Sequence, residues 1–288
     1  MQITAFAETK YIALTFDDGP NTGTCTEALR KLKEYNIPAT FFVTGNNINH
    51  YTGAVLQQML NQDCQIGVHS YNHYIMKDWT LDELNADFQK VTQAIQKYVD
   101  YTPTVMRWPN LQTPYVWEDF AYPAIGSGID TNDWNDATTQ SQIEDAVINN
   151  AGDGKIVLLH CFEGRTKTVS ALDTIIPTLQ EQGYVFVTID ELFAVKGQPK
   201  VVNPEPIGWP NFSNGSWQIV PQGDGATTTA QPALDGDVNS DGKVSSLDVM
   251  EIKRNIADQT YKVSADLTGD GKVTSSDILS LKRIIANG

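Results

Sequence analysis

Several polar residues in this chain close runs that are otherwise apolar, and their types and spacing could do chemistry. Asp17 and Asp18 leave the run at residues 12–16 side by side, so one strand carries two carboxylates out together, a pairing suited to proton transfer or to a cation. His69 and His73 stand four apart in His69-Ser70-Tyr71-Asn72-His73, which holds two of the four histidines. On one helical turn that spacing points both imidazoles the same way, as a divalent metal requires. Asp18 as a third ligand would complete a two-histidine, one-carboxylate site with open positions for water and substrate. Each signal also has a plainer reading. Asp17-Asp18-Gly19-Pro20 suits a strand-ending turn, the histidine pentapeptide suits a solvated loop, and His160, closing Ile156-Val157-Leu158-Leu159, suits a satisfied core histidine. His50 lies in a polar loop and is assigned no role.

For these groups to meet, the elements that carry them must share an end. Seven β-rich runs alternate with helical patterns, at residues 11–18, 39–45, 64–69, 104–108, 124–130, 155–162 and 184–190. Thr80 and Glu83 form a capping box ahead of Leu81, Leu84, Phe88, Val91 and Ile95 at helical spacing, and Thr24 with Glu27 predicts a second helix opened in the same way. Strands alternating with helices predict parallel strands joined by crossovers, and about seven of them predict a sheet curled into a barrel short of the full eight. The fold class is α/β. Asp17, Asp18, His69, Arg107, Asp130 and His160 all then fall at C-terminal strand ends, the functional face of such folds.

Composition bounds the rest. The chain has 288 residues, about two domains' worth, and 41% hydrophobic side chains, enough to bury a core. Its net charge of −15 repels phosphate backbones and anionic membranes, so nucleic acid is not an expected partner. The longest apolar runs, such as Ile156-Val157-Leu158-Leu159, fall far short of the roughly 20 residues of a membrane span. Cys25, Cys64 and Cys161 are odd in number and form no CxxC pair, which predicts buried apolar thiols rather than a disulfide framework. Ala5-Phe6-Ala7 has the small-x-small form of an export cleavage site, and a secreted, extracellular protein is the expectation. Residues 198–232 hold six of the 13 prolines and read as a linker between a domain at 1–197 and a smaller one at 233–288.

Five ordered motifs, Thr15-Phe16-Asp17-Asp18-Gly19-Pro20, His69-x-x-x-His73, Arg107-x-Pro109, Asp130-x-x-Asp133-Trp134 and Leu158-x-His160, resemble those of the polysaccharide deacetylases, carbohydrate esterase family 4. That resemblance implies a distorted (β/α) barrel with one divalent transition metal, zinc or cobalt. It further implies Asp17 as general base, Asp18, His69 and His73 as metal ligands, and His160 as general acid oriented by Asp133. Arg107 would be the partner of Asp17, and Trp134 with Leu158 would wall the acetyl pocket. After Pro109 the family usually has an aromatic residue and glycine, whereas this chain has Asn110-Leu111. The backbone N–H at Asn110 would still help hold the oxyanion, since that duty needs no particular side chain.

A second pattern occupies the C-terminus. Asp237, Asn239, Asp241 and Asp248 take positions 1, 3, 5 and 12 of an EF-hand-type calcium loop, with Gly242 at 6 and Lys243 at the backbone-carbonyl position 7. The pattern recurs 29 residues on with Asp266, Thr268, Asp270, Lys272 and Asp277, so two calcium ions are expected. Loop then helix, twice, with Asp at position 12, resembles a type I dockerin, an all-α module that implies a cohesin partner on a scaffoldin and hence a cellulosome. Ser246, Leu247, Lys253 and Arg254, with Ser275, Ser276, Lys282 and Arg283 at equal offsets, would form two related cohesin-binding faces. Together the two resemblances imply a secreted deacetylase of a plant cell-wall polysaccharide, most of all acetylxylan. The alternatives are a chitin or chitooligosaccharide N-deacetylase and an inactive carbohydrate-binding component.

Overall fold

The computed structural model describes residues 9–120 and 122–196, and in the C-terminal part residues 238, 244, 248, 249, 252, 267, 277, 278, 280, 281, 284 and 285. The chain divides into two compact units, Met1–Trp217 and Gln218–Gly288. In the larger unit, β1 (Lys10–Gly19), β2 (Thr40–Val43), β3 (Gln65–Val68), β4 (Ile129–Asp130), β5 (Lys155–His160) and β6 (Tyr184–Phe186) form one sheet. Its strand order is β3-β2-β1-β5-β4, with β6 also paired to β1, and every pairing is parallel. The helices are α1 (Thr24–Glu34), α2 (Gly53–Asn61), α3 (Leu81–Gln96), α4 (Gln140–Ile148), α5 (Thr166–Glu181) and α6 (Ile189–Val195).

Strand alternation sorts the side chains into two sets. On β1, Ile12, Leu14 and Phe16 join Phe41, Val43, Ile66, Val68, Val157 and Leu159 in a core shared with Leu29, Phe88, Val91 and Leu172 of the helices. The alternate residues Ala13, Thr15 and Asp17, with Phe42, Gly67, Leu158 and His160, are outside that cluster and face the barrel interior. Register does the rest, because Thr15 lies opposite Leu158 and Asp17 opposite His160.

Six of the runs expected from the sequence contribute strands, and several expectations are corrected. Residues 104–108 are not a strand: Met106 alone bridges to Val68 on one side and Ala124 on the other. Pro103 and Pro109 flank it and supply no N–H to extend a ladder. That single residue acts as the seventh stave, closing the barrel between β3 and the run at 124–130. Only Ile129–Asp130 of that run is a regular strand, since the Ile125 and Gly126 carbonyls are taken by the Arg107 guanidinium instead of a neighbouring strand. The run at 184–190 ends early because Thr188 caps α6, its hydroxyl accepting from the Glu191 N–H. Thr80 does cap α3 with Glu83, as expected. Thr24 and Glu27 form no capping box. Asn21 accepts the Gly23 and Cys25 N–H groups in their place, Thr24 accepts from the Gly164 N–H, and Glu27 pairs with Arg30. The three cysteines are buried free thiols.

In the C-terminal unit the described residues include a small core of Val238, Val249, Ile252 and Leu281, with Val244, Leu267 and Ile278 packed against it. Asp248 and Asp277, position 12 of each expected calcium loop, are fully buried and helical. The Val238 N–H donates to Asp248 Oδ1 at 2.7 Å, tying position 2 of the first loop to position 12.

One interior position tests the packing. A Cβ on Gly67 would stand 2.6 Å from Cδ1 of Phe42 and 3.2 Å from the Val105 carbonyl oxygen. Gly67→Ala must therefore displace the Phe42 ring or the backbone, and a loss of about 1–3 kcal/mol is expected. Urea unfolding of the two proteins checks this, and equal midpoints would show that the interior has slack.

Candidate functional site

Neighbouring residues of a strand point to opposite faces, so Asp17 and Asp18 should not be able to share a site. They do so here because β1 bulges. Asp17 pairs with Phe42 and Gly19 with Val43, the register slipping across Asp18, which adopts a left-handed φ of 70°. Asp18 Oδ1 thereby comes within 3.5 Å of His69 Nε2 and 3.4 Å of His73 Nε2, while Asp17 Oδ2 lies 3.7 Å from His69 Nε2.

The two histidines are not on a helical turn, contrary to the expectation. They flank an irregular loop, left-handed at Ser70 and His73, that follows β3. His69 Nδ1 lies 2.9 Å from the Arg107 carbonyl, which can only accept, so Nδ1 carries the proton and Nε2 keeps its lone pair. Burial disfavours the imidazolium and, despite the attraction of Asp17 and Asp18, holds His69 below its ordinary pKa. It is thus a neutral imidazole. Ligand atoms of Asp18, His69 and His73 all lie within 4.8 Å of one another, and Asp18 Oδ1 is buried without a hydrogen-bond partner. An oxygen in that condition, faced by two imidazole nitrogens, fits a divalent cation.

Asp17 is held from the other side. Arg107 is fully buried, and each of its three nitrogens is engaged: Nη1 with Asp17 Oδ1 at 2.8 Å and Thr15 Oγ1 at 2.8 Å, Nε with the Ile125 carbonyl at 3.0 Å, and Nη2 with the Gly126 carbonyl at 2.8 Å. Its guanidinium carbon lies 4.3 Å from the centre of the Phe42 ring. Burial alone would raise the Asp17 pKa, but Arg107, together with His160, outweighs it and holds the carboxyl below its ordinary range.

His160, across the ladder from Asp17, is oriented by Asp133. Asp133 Oδ1 lies 2.7 Å from His160 Nδ1, and Oδ2 accepts the His160 N–H at 2.8 Å and the Thr168 hydroxyl at 2.7 Å. Burial would lower the His160 pKa, but its bond to and attraction by Asp133 raise it above the ordinary value. Arg165 Nη1 donates to the Asp133 and Trp134 carbonyls at 3.1 Å and so anchors this loop from the start of α5. Thr168 and Arg165 carry no sequence signal of their own, because their partners lie about thirty residues away.

The remaining expected residues are more scattered. Leu158 is buried on the interior face of β5, and Trp134 is 53% exposed. Asn110 lies exposed in a left-handed turn within Pro109–Leu111, and Asp130 is exposed with Oδ1 accepting from the Asn132 N–H. An open groove of about 640 Å³ runs beside Asp18, lined by Pro20, Asn46, Asn49, Tyr51, Phe162 and Glu163. Among the described residues no helix is long and apolar enough to cross a membrane. Of the calcium-loop residues, Asp237, Asn239, Asp241, Lys243, Asp266, Thr268, Asp270 and Lys272 lie outside the described residues. So do Ser246, Leu247, Lys253, Arg254, Ser275, Ser276, Lys282 and Arg283, the linker at 198–232 and Ala5-Phe6-Ala7.

Residues 6–118 match the polysaccharide deacetylase family, and residues 235–286 match the type I dockerin domain. The chain is 38% identical over 196 residues to the bifunctional xylanase/deacetylase of Pseudobutyrivibrio xylanivorans, a match covering 68% of this chain and 32% of that protein. It is 37% identical over 190 residues to the peptidoglycan-N-acetylglucosamine deacetylase PgdA of Listeria monocytogenes, covering 66% and 40%. The chain thus spans about a third to two fifths of these curated relatives. Among solved structures, a family 4 acetyl xylan esterase from Clostridium thermocellum in complex with a cobalt ion is 40% identical, with a TM-score of 0.65 over 69% of this chain and 97% of that one.

The Asp17–Arg107 pair makes a prediction independent of any ligand. Because the folded-state pKa of Asp17 is depressed, its ionised form stabilises the fold above the unfolded pKa, and that contribution is lost as pH falls through the folded value. Arg107→Leu reverses the sign by leaving a buried carboxylate unpaired. At neutral pH in chelator, urea titration should show about 3–5 kcal/mol of lost stability, with the gap from wild type narrowing on acidification as Asp17 protonates. A pH-independent gap would mean that lost packing, not the charge, is responsible.

Proposed function

The chain belongs to the polysaccharide deacetylase family and carries a type I dockerin domain, and we propose that it removes acetyl groups from a plant cell-wall polysaccharide, foremost acetylxylan, as a secreted component of a cellulosome. The observation that carries the catalytic reading is the convergence of two imidazole Nε2 atoms on an unpartnered Asp18 oxygen, with Asp17 and His160 opposite one another on the adjoining strands, the first shifted toward its ionised form and the second toward its protonated form. Support for the substrate comes from the likeness to a xylanase/deacetylase and an acetyl xylan esterase, and from the dockerin, which suits assembly through a cohesin.

In this reading Asp18, His69 and His73 hold one divalent ion, zinc or cobalt, whose Lewis acidity lowers the pKa of water and polarises the acetyl carbonyl. Asp17 takes the proton of the attacking water, and its pairing with Arg107 keeps it ionised to do so. His160, kept as imidazolium by Asp133, delivers a proton to the departing sugar oxygen. The Asn110 N–H meets the oxyanion, a contribution on the order of 3 kcal/mol for a well-placed donor. Trp134 and Leu158 wall the acetyl group. Likeness to PgdA favours a second reading, an N-acetyl substrate such as chitooligosaccharide or peptidoglycan.

Acetate release from acetylated xylan, chitooligosaccharide and peptidoglycan, measured side by side, decides among these. Faster turnover of xylan supports the proposal, faster turnover of an N-acetyl substrate overturns it, and release from none would leave a carbohydrate-binding component. The pH profile tests the two roles. Asp17 is depressed and His160 raised, so kcat/KM should be bell-shaped, its acid limb below the ordinary carboxylate range and its alkaline limb above the ordinary histidine value. His160→Ala should remove the alkaline limb and about 100-fold or more of the rate. Asp17→Asn should lose turnover yet retain metal, whereas His69→Ala should lose both.

For the C-terminal unit we propose calcium ions in the two loops and cohesin binding through either of two related faces. Loops that gather several carboxylates repel themselves until a cation sits among them, and a module of this size buries little surface. Chelation should abolish its helical circular dichroism and its cohesin binding, and a module that stays folded without calcium would contradict this.

A further inference from the structure

The loop that presents His69 and His73 has an unfavourable backbone. Ser70 (φ 60°) and His73 (φ 56°) are left-handed without being glycine, a state that persists only where the surroundings over-determine it. On one side the constraint is backbone to backbone. The His69 N–H donates to the Val43 carbonyl at 2.9 Å, and the Ser70 and Tyr71 carbonyls accept from the Gly45 and Asn46 N–H groups at 3.0 and 2.7 Å. Within the loop, Ser70 Oγ accepts from the Tyr74 N–H at 3.1 Å.

On the other side the constraint is a side chain of α3. Both carboxylate oxygens of Asp87, a residue 8% exposed in mid-helix, accept from the Tyr71 N–H, at 3.1 and 3.0 Å. Tyr71 is the midpoint between the two histidines, and its ring is fixed as well. It lies against Gly45, where a Cβ would stand 2.5 Å from its Cδ2, and under Lys90 Nζ, 3.5 Å from the ring centre. A rotation of the Tyr71 peptide would swing one histidine relative to the other. Asp87 grips the one N–H that such a rotation must carry with it. Mid-helix, it caps nothing in its own element, so the bond to Tyr71 is what its burial serves.

We propose that Asp87 is a positioning residue for the histidine pair, holding the Tyr71 N–H so that the loop keeps the single conformation in which both Nε2 atoms face Asp18. The inference rests on the reading of Asp18, His69 and His73 as metal ligands. Partners that orient a metal ligand from outside its coordination sphere typically change affinity about 10- to 100-fold when removed.

The test uses the full chain in calcium-containing buffer, with cobalt(II) as probe. Wild type, Asp87→Ala and Asp87→Asn are compared by cobalt affinity in competition with a chelating indicator, by the visible absorption of bound cobalt, and by thermal unfolding without transition metal. Alanine is the best helix former, so α3 itself is not penalised. Asp87→Ala should bind cobalt about 10- to 100-fold more weakly with an altered visible spectrum. Asp87→Asn, which keeps one acceptor oxygen, should fall between, and it carries the test if the alanine variant does not fold. Unchanged cobalt affinity and spectrum in either folded variant, with only the unfolding temperature lowered, would overturn the proposal and leave Asp87 a stabilising contact of α3. A wild-type chain that takes up no cobalt would overturn the metal reading itself, and this inference with it.

Discussion

A guanidinium with no exposed surface must find acceptors for its donors, and much of the architecture around the site answers that demand. Arg107 draws the Ile125 and Gly126 carbonyls out of any regular ladder, which leaves 124–130 a mostly irregular stave. Its remaining nitrogen joins Thr15 to Asp17 along β1. The same cation therefore shapes the barrel wall and sets the charge state of the carboxylate inside it. Neither partner is tolerable alone, since an unpaired ion in this interior would cost several kcal/mol. The flat underside of the guanidinium rests on Phe42, and Phe42 in turn needs the bare backbone of Gly67.

Around that centre the protein separates duties by strand. β1 brings a carboxylate that stays ionised and another that stays unpartnered. The loop after β3 brings two imidazoles, one neutral by burial, and β5 brings a third imidazole pushed toward its charged form by Asp133. The pKa values of His69 and His160 are thus shifted in opposite directions within one site. His69 faces a carbonyl through Nδ1 and His160 a carboxylate, and that difference in a single acceptor suits the first to the proposed role of ligand and the second to that of proton donor.

Much of this was legible in the sequence, for reasons that can be named. Asp17, Asp18, His69 and His73 stood out because polar residues closed apolar runs, and the alternation of strand and helix patterns implied a shared functional end. The capping box at Thr80 was legible because it is local, and the one at Thr188 was overlooked within a run read as strand. Thr24 misled because the helix is capped one residue earlier, at Gly23, whose carbonyl accepts from the Glu27 N–H, while Asn21, outside the motif, accepts from the Gly23 and Cys25 N–H groups. The run at 104–108 looked like a strand by composition, yet two prolines and the demands of one side chain reduce it to a bridge. The bulge at Asp18 leaves no compositional trace, since it is created by the pairing of β1 with β2. Thr168 and Arg165 were invisible for the same reason.

That bulge lets two chain neighbours, Asp17 and Asp18, turn their side chains to one site. Their Cα atoms are joined by one peptide linkage, so breathing of the barrel displaces the two backbones together. The contacts of Asp18 with the two histidines, by contrast, cross a seam between β1 and the loop that follows β3. A natural or engineered variant that loosens this seam would alter how the histidines meet Asp18 while leaving the relation of Asp17 to Asp18 intact. In the proposed reading, the capacity to hold a cation and the capacity to accept a proton would then drift separately in this scaffold, the first through loop and helix residues such as Asp87, the second through the barrel interior around Arg107.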